Sequence, residues 1–264
     1  MTNLHPPDMR TGQHTSAKPT SQHTVKLTRN LTVKRHCWSN RFTHWAIALS
    51  TIVLFVSGFG QMPMYARYGF TKIPGFSWSG NYQITLNLHY AAAVALIFAV
   101  TYHLTVSILR KEFNLIPRRG DLQESWQIIK AMLGFGQEPE SDKYLAEQRV
   151  AYLYIGLNVI VLLATGAVKV LKNTDLYQPG TNLIFWINNI HIAATFTLLF
   201  GIFGHLLAFS FKANRKLLPG IITGRVCCDY VKHRHSKWYC TLDLPENIGR
   251  PAAVQSEAGV VIGK

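Results

Sequence analysis

Four stretches of this chain, residues 42–61, 88–109, 150–168 and 188–211, contain no Asp, Glu, Lys or Arg. Each is about the 20 residues that an α-helix needs to cross ~30 Å of hydrocarbon. The expected fold is therefore all-α, an integral membrane four-helix bundle. A large soluble protein with buried helices is the alternative, and four charge-free runs of this length weigh against it. The mean hydropathy of the whole chain is only +0.09 because long polar ends dilute the apolar middle.

The net charge of +14 raises the question of nucleic acid, and the placement of the charges answers it. Of 27 Lys and Arg, 23 lie before Phe42, between Arg110 and Arg149, or from Lys212 onward. The other two connections hold only Arg67, Lys72, Lys169 and Lys172. For four spans this is the positive-inside pattern with both termini cytoplasmic. The basic residues are expected to orient the chain and meet lipid headgroups, not nucleic acid.

Residues 1–36 are expected to form a disordered cytoplasmic tail, and 241–264 a flexible one. Between them, residues 37–240 read as one membrane domain ending in a cytoplasmic arm. The stretch 122–133 suits a short amphipathic helix. Trp78, Tyr82 and Trp186 suit the outer interface. Residues 1–40 lack the apolar core of a signal peptide. Cys37, Cys227, Cys228 and Cys240 all fall on the expected cytoplasmic side, where thiols stay reduced. Cys228, His233, His235 and Cys240 do not have a familiar zinc spacing. No internal repeat is convincing, although the second and fourth spans share one feature.

That feature is a pair of histidines fourteen residues apart, His89 with His103 and His191 with His205. Fourteen residues make almost four helical turns, so both rings of a pair leave one face, roughly 21 Å apart along the axis. Histidine inside a membrane is costly and needs a partner. Haem iron is such a partner. Because spans alternate in direction, His89 and His191 share the outer level, whereas His44, His103 and His205 share the inner one. Two haems are expected, the outer held by His89 and His191, the inner by His205 with either His44 or His103. Iron with two protein ligands has no open position, which favours electron transfer over oxygen chemistry. Ala91, Ala92, Ala93, Ala193, Ala194, Gly201 and Gly204 leave room for a macrocycle, or for ordinary helix packing.

Over residues 40–240 the chain resembles the cytochrome b (gamma) subunit of membrane-bound respiratory formate dehydrogenases. The cytochrome b subunits of nickel-iron hydrogenases are broader relatives. The resemblance is carried by Arg41-Phe42-Thr43-His44-Trp45, Ser57-Gly58, Lys143-Tyr144 with Gln148, and the run from Val161 to Gly166. Ile190-His191-Ile192-Ala193-Ala194, with His205 fourteen residues on, adds to it. Most specific is the arm, with Gly224-Arg225-Val226, Tyr230, His235 and Trp238-Tyr239. The resemblance implies two haem b groups and takes the inner ligands from the first and fourth helices, hence His44 with His205. His103 remains the alternative. It also implies a quinone site beside the inner haem, with His205, Lys143, Tyr144, Glu147 and Gln148 as candidates. There the family pattern Lys-Tyr-Asn-x-Gly-Gln is changed, since Leu145 and Glu147 stand in place of Asn and Gly; Glu147 is suited to deliver a proton.

The function so implied is a multi-pass subunit of the bacterial inner membrane with no catalytic residue of its own for the fuel. An iron–sulfur subunit and a catalytic large subunit outside would supply electrons from formate, and menaquinone or ubiquinone would accept them inside. One alternative is the cytochrome b subunit of a nickel-iron hydrogenase. Another is a non-haem membrane anchor or transporter using the histidines as a proton relay.

Overall fold

The computed structural model describes residues 31–174 and 176–242. In chain order they form strand β1 (Thr32–Lys34), α1 (Trp38–Gly60), α2 (Tyr82–Leu109), α3 (Asp121–Met132), α4 (Ala146–Asn173), α5 (Thr181–Leu207), β2 (Arg225–Cys227), α6 (Cys228–Arg234) and α7 (Ser236–Cys240), with short helical turns between. The helices α1, α2, α4 and α5 are long and apolar enough to cross a membrane. They cover most of the four charge-free runs; α1, α2, α4 and α5 each begin before their run, and α4 also continues past its run through Lys169 and Lys172. At α2 the Asn81 Oδ1 accepts from the backbone N–H groups of Gln83 at 3.0 Å and Ile84 at 3.2 Å. At α4 the Gln148 Oε1 accepts from the N–H of Leu145 at 3.3 Å.

Large apolar side chains such as Val94, Phe98, Phe200 and Phe203 face outward. In water this would be an aggregation hazard, whereas hydrocarbon solvates them. The closest backbone packing is within two hairpins, α1 with α2 and α4 with α5. Between hairpins the helices meet through side chains, as in Phe59 with Phe196 and Tyr90 with Asn173. Leu96, Val159 and Leu198 form the buried centre, with Ile47 and Leu54 of α1 against them. Leu96 lies seven residues, about two turns, from each histidine of α2, and Leu198 stands likewise in α5. An apolar layer therefore separates the two histidine levels.

Both ends of the described chain gather at one end of the bundle, here called the cap side. β1 pairs antiparallel with β2, Val33 opposite Val226. Val33, Val226, Cys228, Val231, Trp238 and Tyr239 make a small core of their own. Gly224, immediately before β2, has φ +85°, and a Cβ there would lie 2.7 Å from the carbonyl oxygen of His36. Only glycine fits that turn. The helix expected over 122–133 is α3, and Ile128 packs it against Leu145 and Ala146. Asp121 and Arg149 clamp the same junction, with Arg149 Nε and Nη2 donating to the two carboxylate oxygens at 2.7 and 2.6 Å.

Three expectations change. Thr32–Lys34, inside the tail expected over 1–36, form a strand because they find a partner nearly two hundred residues away. Residues 1–30 and 243–264, most of both expected tails, lie outside the described residues. Among the described residues the helical fold also carries a two-stranded sheet. The two hairpins also repeat one device, described next, that the sequence did not make convincing as a repeat.

Candidate functional site

His89, early in α2, is held by the end of α1. Its Nδ1 lies 3.0 Å from Ser57 Oγ. The Ser57 hydroxyl donates to the carbonyl of Val53, one turn back, at 2.7 Å. With its proton committed there, Ser57 offers the ring only a lone pair, so Nδ1 is the donor and Nε2 is the free, basic nitrogen. Gly58 lets the ring lie against the helix, since a Cβ there would be 3.3 Å from His89 Cε1.

The second hairpin repeats the arrangement. His191 Nδ1 lies 2.7 Å from Thr165 Oγ1, and that hydroxyl donates to the carbonyl of Val161 at 2.7 Å. Gly166 lies beside this ring, where a Cβ would be 3.7 Å from His191 Cε1, an ordinary contact. His89 and His191 stand at the same level, within electrostatic reach of each other. Lys169, one turn beyond Thr165 on the same face, acts on both.

At the cap-side level the rings of His44 and His205 face each other across the hairpin boundary, centres 6.4 Å apart. Two imidazoles on opposite faces of one metal, each nitrogen about 2 Å from it, place their ring centres roughly 6 Å apart. Nδ1 of His44 is buried with no hydrogen-bond partner. The residues present therefore fit a doubly ligated metal centre. His103 is engaged elsewhere, its Nε2 2.9 Å from the Tyr152 hydroxyl. The structure thus brings together His44 with His205 and sets His103 apart against α4.

Next to this level the N-terminal strand, the start of α4 and the arm converge. Arg35 is buried and has no carboxylate partner among the described residues. Its guanidinium lies 5.4 Å from the Tyr144 ring centre and 5.6 Å from that of Trp238. It also donates to Gln148 Oε1 at 3.4 Å and meets His235 Nε2 at 3.3 Å. Burial pulls the Arg35 pKa down to about 10. His235 Nδ1 bonds the Asp142 carbonyl at 2.6 Å, and burial, with Arg35 nearby, pushes that imidazole down to about 4. His36 is pushed to about 3 by burial and then by Arg35 and Lys143. Lys143 Nζ lies over the Tyr144 and Trp238 rings at 5.6 and 5.9 Å, and burial lowers its pKa while raising that of Tyr144.

Of the expected quinone candidates, Lys143, Tyr144 and Gln148 belong to this cluster. Glu147 points to another side, within reach of the charges of Arg234 and Glu138, with Oε2 buried and unpartnered. Arg35 was missed by sequence reasoning, because one arginine in a basic tail carries no signal. Among the described residues no group of three or more His, Cys, Asp and Glu side chains is arranged to hold a bare metal ion.

The sequence profile of a family described as prokaryotic cytochrome b561 matches residues 35–224. The formate dehydrogenase cytochrome b556 subunit of Haemophilus influenzae is 24% identical over 221 residues, covering 81% of this chain and 85% of that one. The nitrate-inducible formate dehydrogenase cytochrome b556(Fdn) subunit of Escherichia coli is 23% identical over 240 residues, covering 89% of this chain and all of its own length.

Proposed function

The chain belongs to the prokaryotic cytochrome b561 family, and from that premise we propose that it is the dihaem subunit carrying electrons from a formate dehydrogenase across a bacterial inner membrane to quinone. The chain is a multi-pass membrane cytochrome b with an electron-transfer role, and the family implies haem b. The observation that carries this reading is the sorting of four histidines into two levels, His44 with His205 at 6.4 Å between ring centres and His89 within electrostatic reach of His191, with Leu96, Val159 and Leu198 buried between the levels.

Haem bound between two imidazoles supplies reversible one-electron chemistry at an iron with no open position. His89 and His191 would hold one group, through the nitrogens that Ser57 and Thr165 leave free. His44 and His205 would hold the other. Lys169, within electrostatic reach of both His89 and His191, would offer a cation to an acidic substituent of the group they hold. The layer between the levels excludes water, so it opposes proton leakage along the path that electrons take.

On the cap side, Lys143, Tyr144, Gln148 and His205 are proposed to meet the quinone, with Arg35 and Trp238 holding the loop in place. Glu147 Oε2, buried and unpartnered, suits a group that takes a proton from the aqueous side and passes it inward. The excess of Lys and Arg around the cap side supports a cytoplasmic setting for it. The names of the relatives favour formate over hydrogen as the fuel, and they favour an iron–sulfur subunit and a catalytic subunit as partners on the far side.

Vesicles containing the purified complex and menaquinone test this reading. Formate oxidation is expected to generate a membrane potential that a protonophore abolishes. Quinone reduction without a potential would overturn the transmembrane route.

A further inference from the structure

We infer that Ser57 and Thr165 are positioning residues that hold His89 and His191 as Nδ1–H tautomers, and that this matched pair of bonds sets the reduction potential of their haem site below that of the His44–His205 site. The inference rests on the dihaem reading above and adds an order to the two sites.

The two hydroxyls act as fixed acceptors. Each donates to the carbonyl four residues back in its own helix, Ser57 to Val53 and Thr165 to Val161, both at 2.7 Å. Each is therefore a fixed acceptor, presented to an imidazole on the neighbouring helix of the hairpin. A ring that donates from Nδ1 gains electron density at Nε2 and becomes a more basic ligand. A more basic axial ligand stabilises the oxidised, more positive iron over the reduced one, which lowers the potential. Both ligands of one site have this support.

The other site lacks it. Nδ1 of His44 is buried without a partner, and among the described residues the ring of His205 makes aromatic contacts with His44 and Phe209 but no hydrogen bond. The same ligand type thus stands in two environments within one bundle. The asymmetry favours electron flow from the Ser57–Thr165 level toward the cap side, and it is written into two hydroxyls that touch neither substrate nor the aqueous phase.

The test is a redox titration of the full chain in its membrane complex, followed by b-type absorbance, with electron paramagnetic resonance of the oxidised form. The wave belonging to the His89–His191 site is identified as the one absent in His89→Ala. In Ser57→Ala and Thr165→Val that wave is expected to move to higher potential, with changed g-values, while the other wave stays in place. Ser57→Thr and Thr165→Ser keep the hydroxyl and are expected to keep the wild-type wave. Loss of this haem in the first pair of variants but not in the exchanged pair also supports the assignment.

An unmoved wave in Ser57→Ala and Thr165→Val, equal movement of both waves, or the same defect in the exchanged pair would overturn it while leaving the dihaem reading intact. Fewer than two waves in the wild type would reject the dihaem reading itself.

Discussion

The imidazoles of His44 in α1 and His205 in α5 face each other with ring centres 6.4 Å apart. They join helices from different hairpins, and His103, the rival at that level, is bonded instead to Tyr152 at 2.9 Å. The expected outcome is that His44→Ala loses one of two haems per chain, whereas His103→Ala retains both. Haem quantified against protein in the purified variants checks this. Loss of a haem in His103→Ala, with His44→Ala unaffected, would reverse the assignment.

The clasp between the two ends of the domain depends on Gly224. A methyl group there adds strain at φ +85° and would sit 2.7 Å from the His36 carbonyl oxygen. Gly224→Ala is expected to cost about 1–3 kcal/mol locally and to open the β1–β2 pairing. Limited proteolysis would detect it as faster cleavage within residues 212–242, with the spans still protected. Unchanged cleavage would show that the turn tolerates a side chain.

The pair Asp121 and Arg149 ties α3 to α4. Both side chains are only 4% exposed, and the hydrogen bond from Arg149 is the largest cause of the low pKa of Asp121. Removing one member of such a pair leaves a buried charge unpaired and costs about 3–5 kcal/mol. Asp121→Asn is expected to release α3, seen as increased hydrogen exchange in residues 121–132. Exchange equal to wild type would show that Ile128 alone holds the helix.

Acid should loosen the cap. His235 and His36 sit at about 4 and about 3 in the folded protein, below the ordinary histidine value, with burial the leading cause in each. Between roughly pH 6.5 and pH 4 these histidines bind protons when the cap is unfolded and not when it is folded, so stability falls as pH falls. Hydrogen exchange of the arm, corrected for its intrinsic pH dependence, is expected to show less protection at pH 5 than at pH 7.5. Equal or greater protection at pH 5 would contradict this.

How much of this was open to inspection in the sequence follows from the range of each interaction. The spans were legible because the bilayer constrains each segment by itself, without reference to its neighbours. The two histidine levels were legible because helical periodicity converts a spacing of fourteen into a shared face. The same arithmetic places Leu96 and Leu198 midway between the histidines of their helices, a signal present in the sequence and overlooked.

Partners distant in sequence were not legible. Thr32–Lys34 make a strand only because Arg225–Cys227 lie beside them. Arg35 has its role only where Tyr144, Gln148, His235 and Trp238 meet. Ser57-Gly58 and Thr165-Gly166 differ in residue and in distance to their histidines, so their equivalence shows only when both rings are in place. The choice between His44 and His103 came from resemblance, because both lie at the proper depth.

The most direct test of the whole account is the haem content of the purified chain, measured together with its reduced-minus-oxidised spectrum. The account predicts two b-type haems per chain, falling to one when either His89 or His44 is replaced by alanine. A colourless protein, or one haem per wild-type chain, would contradict it.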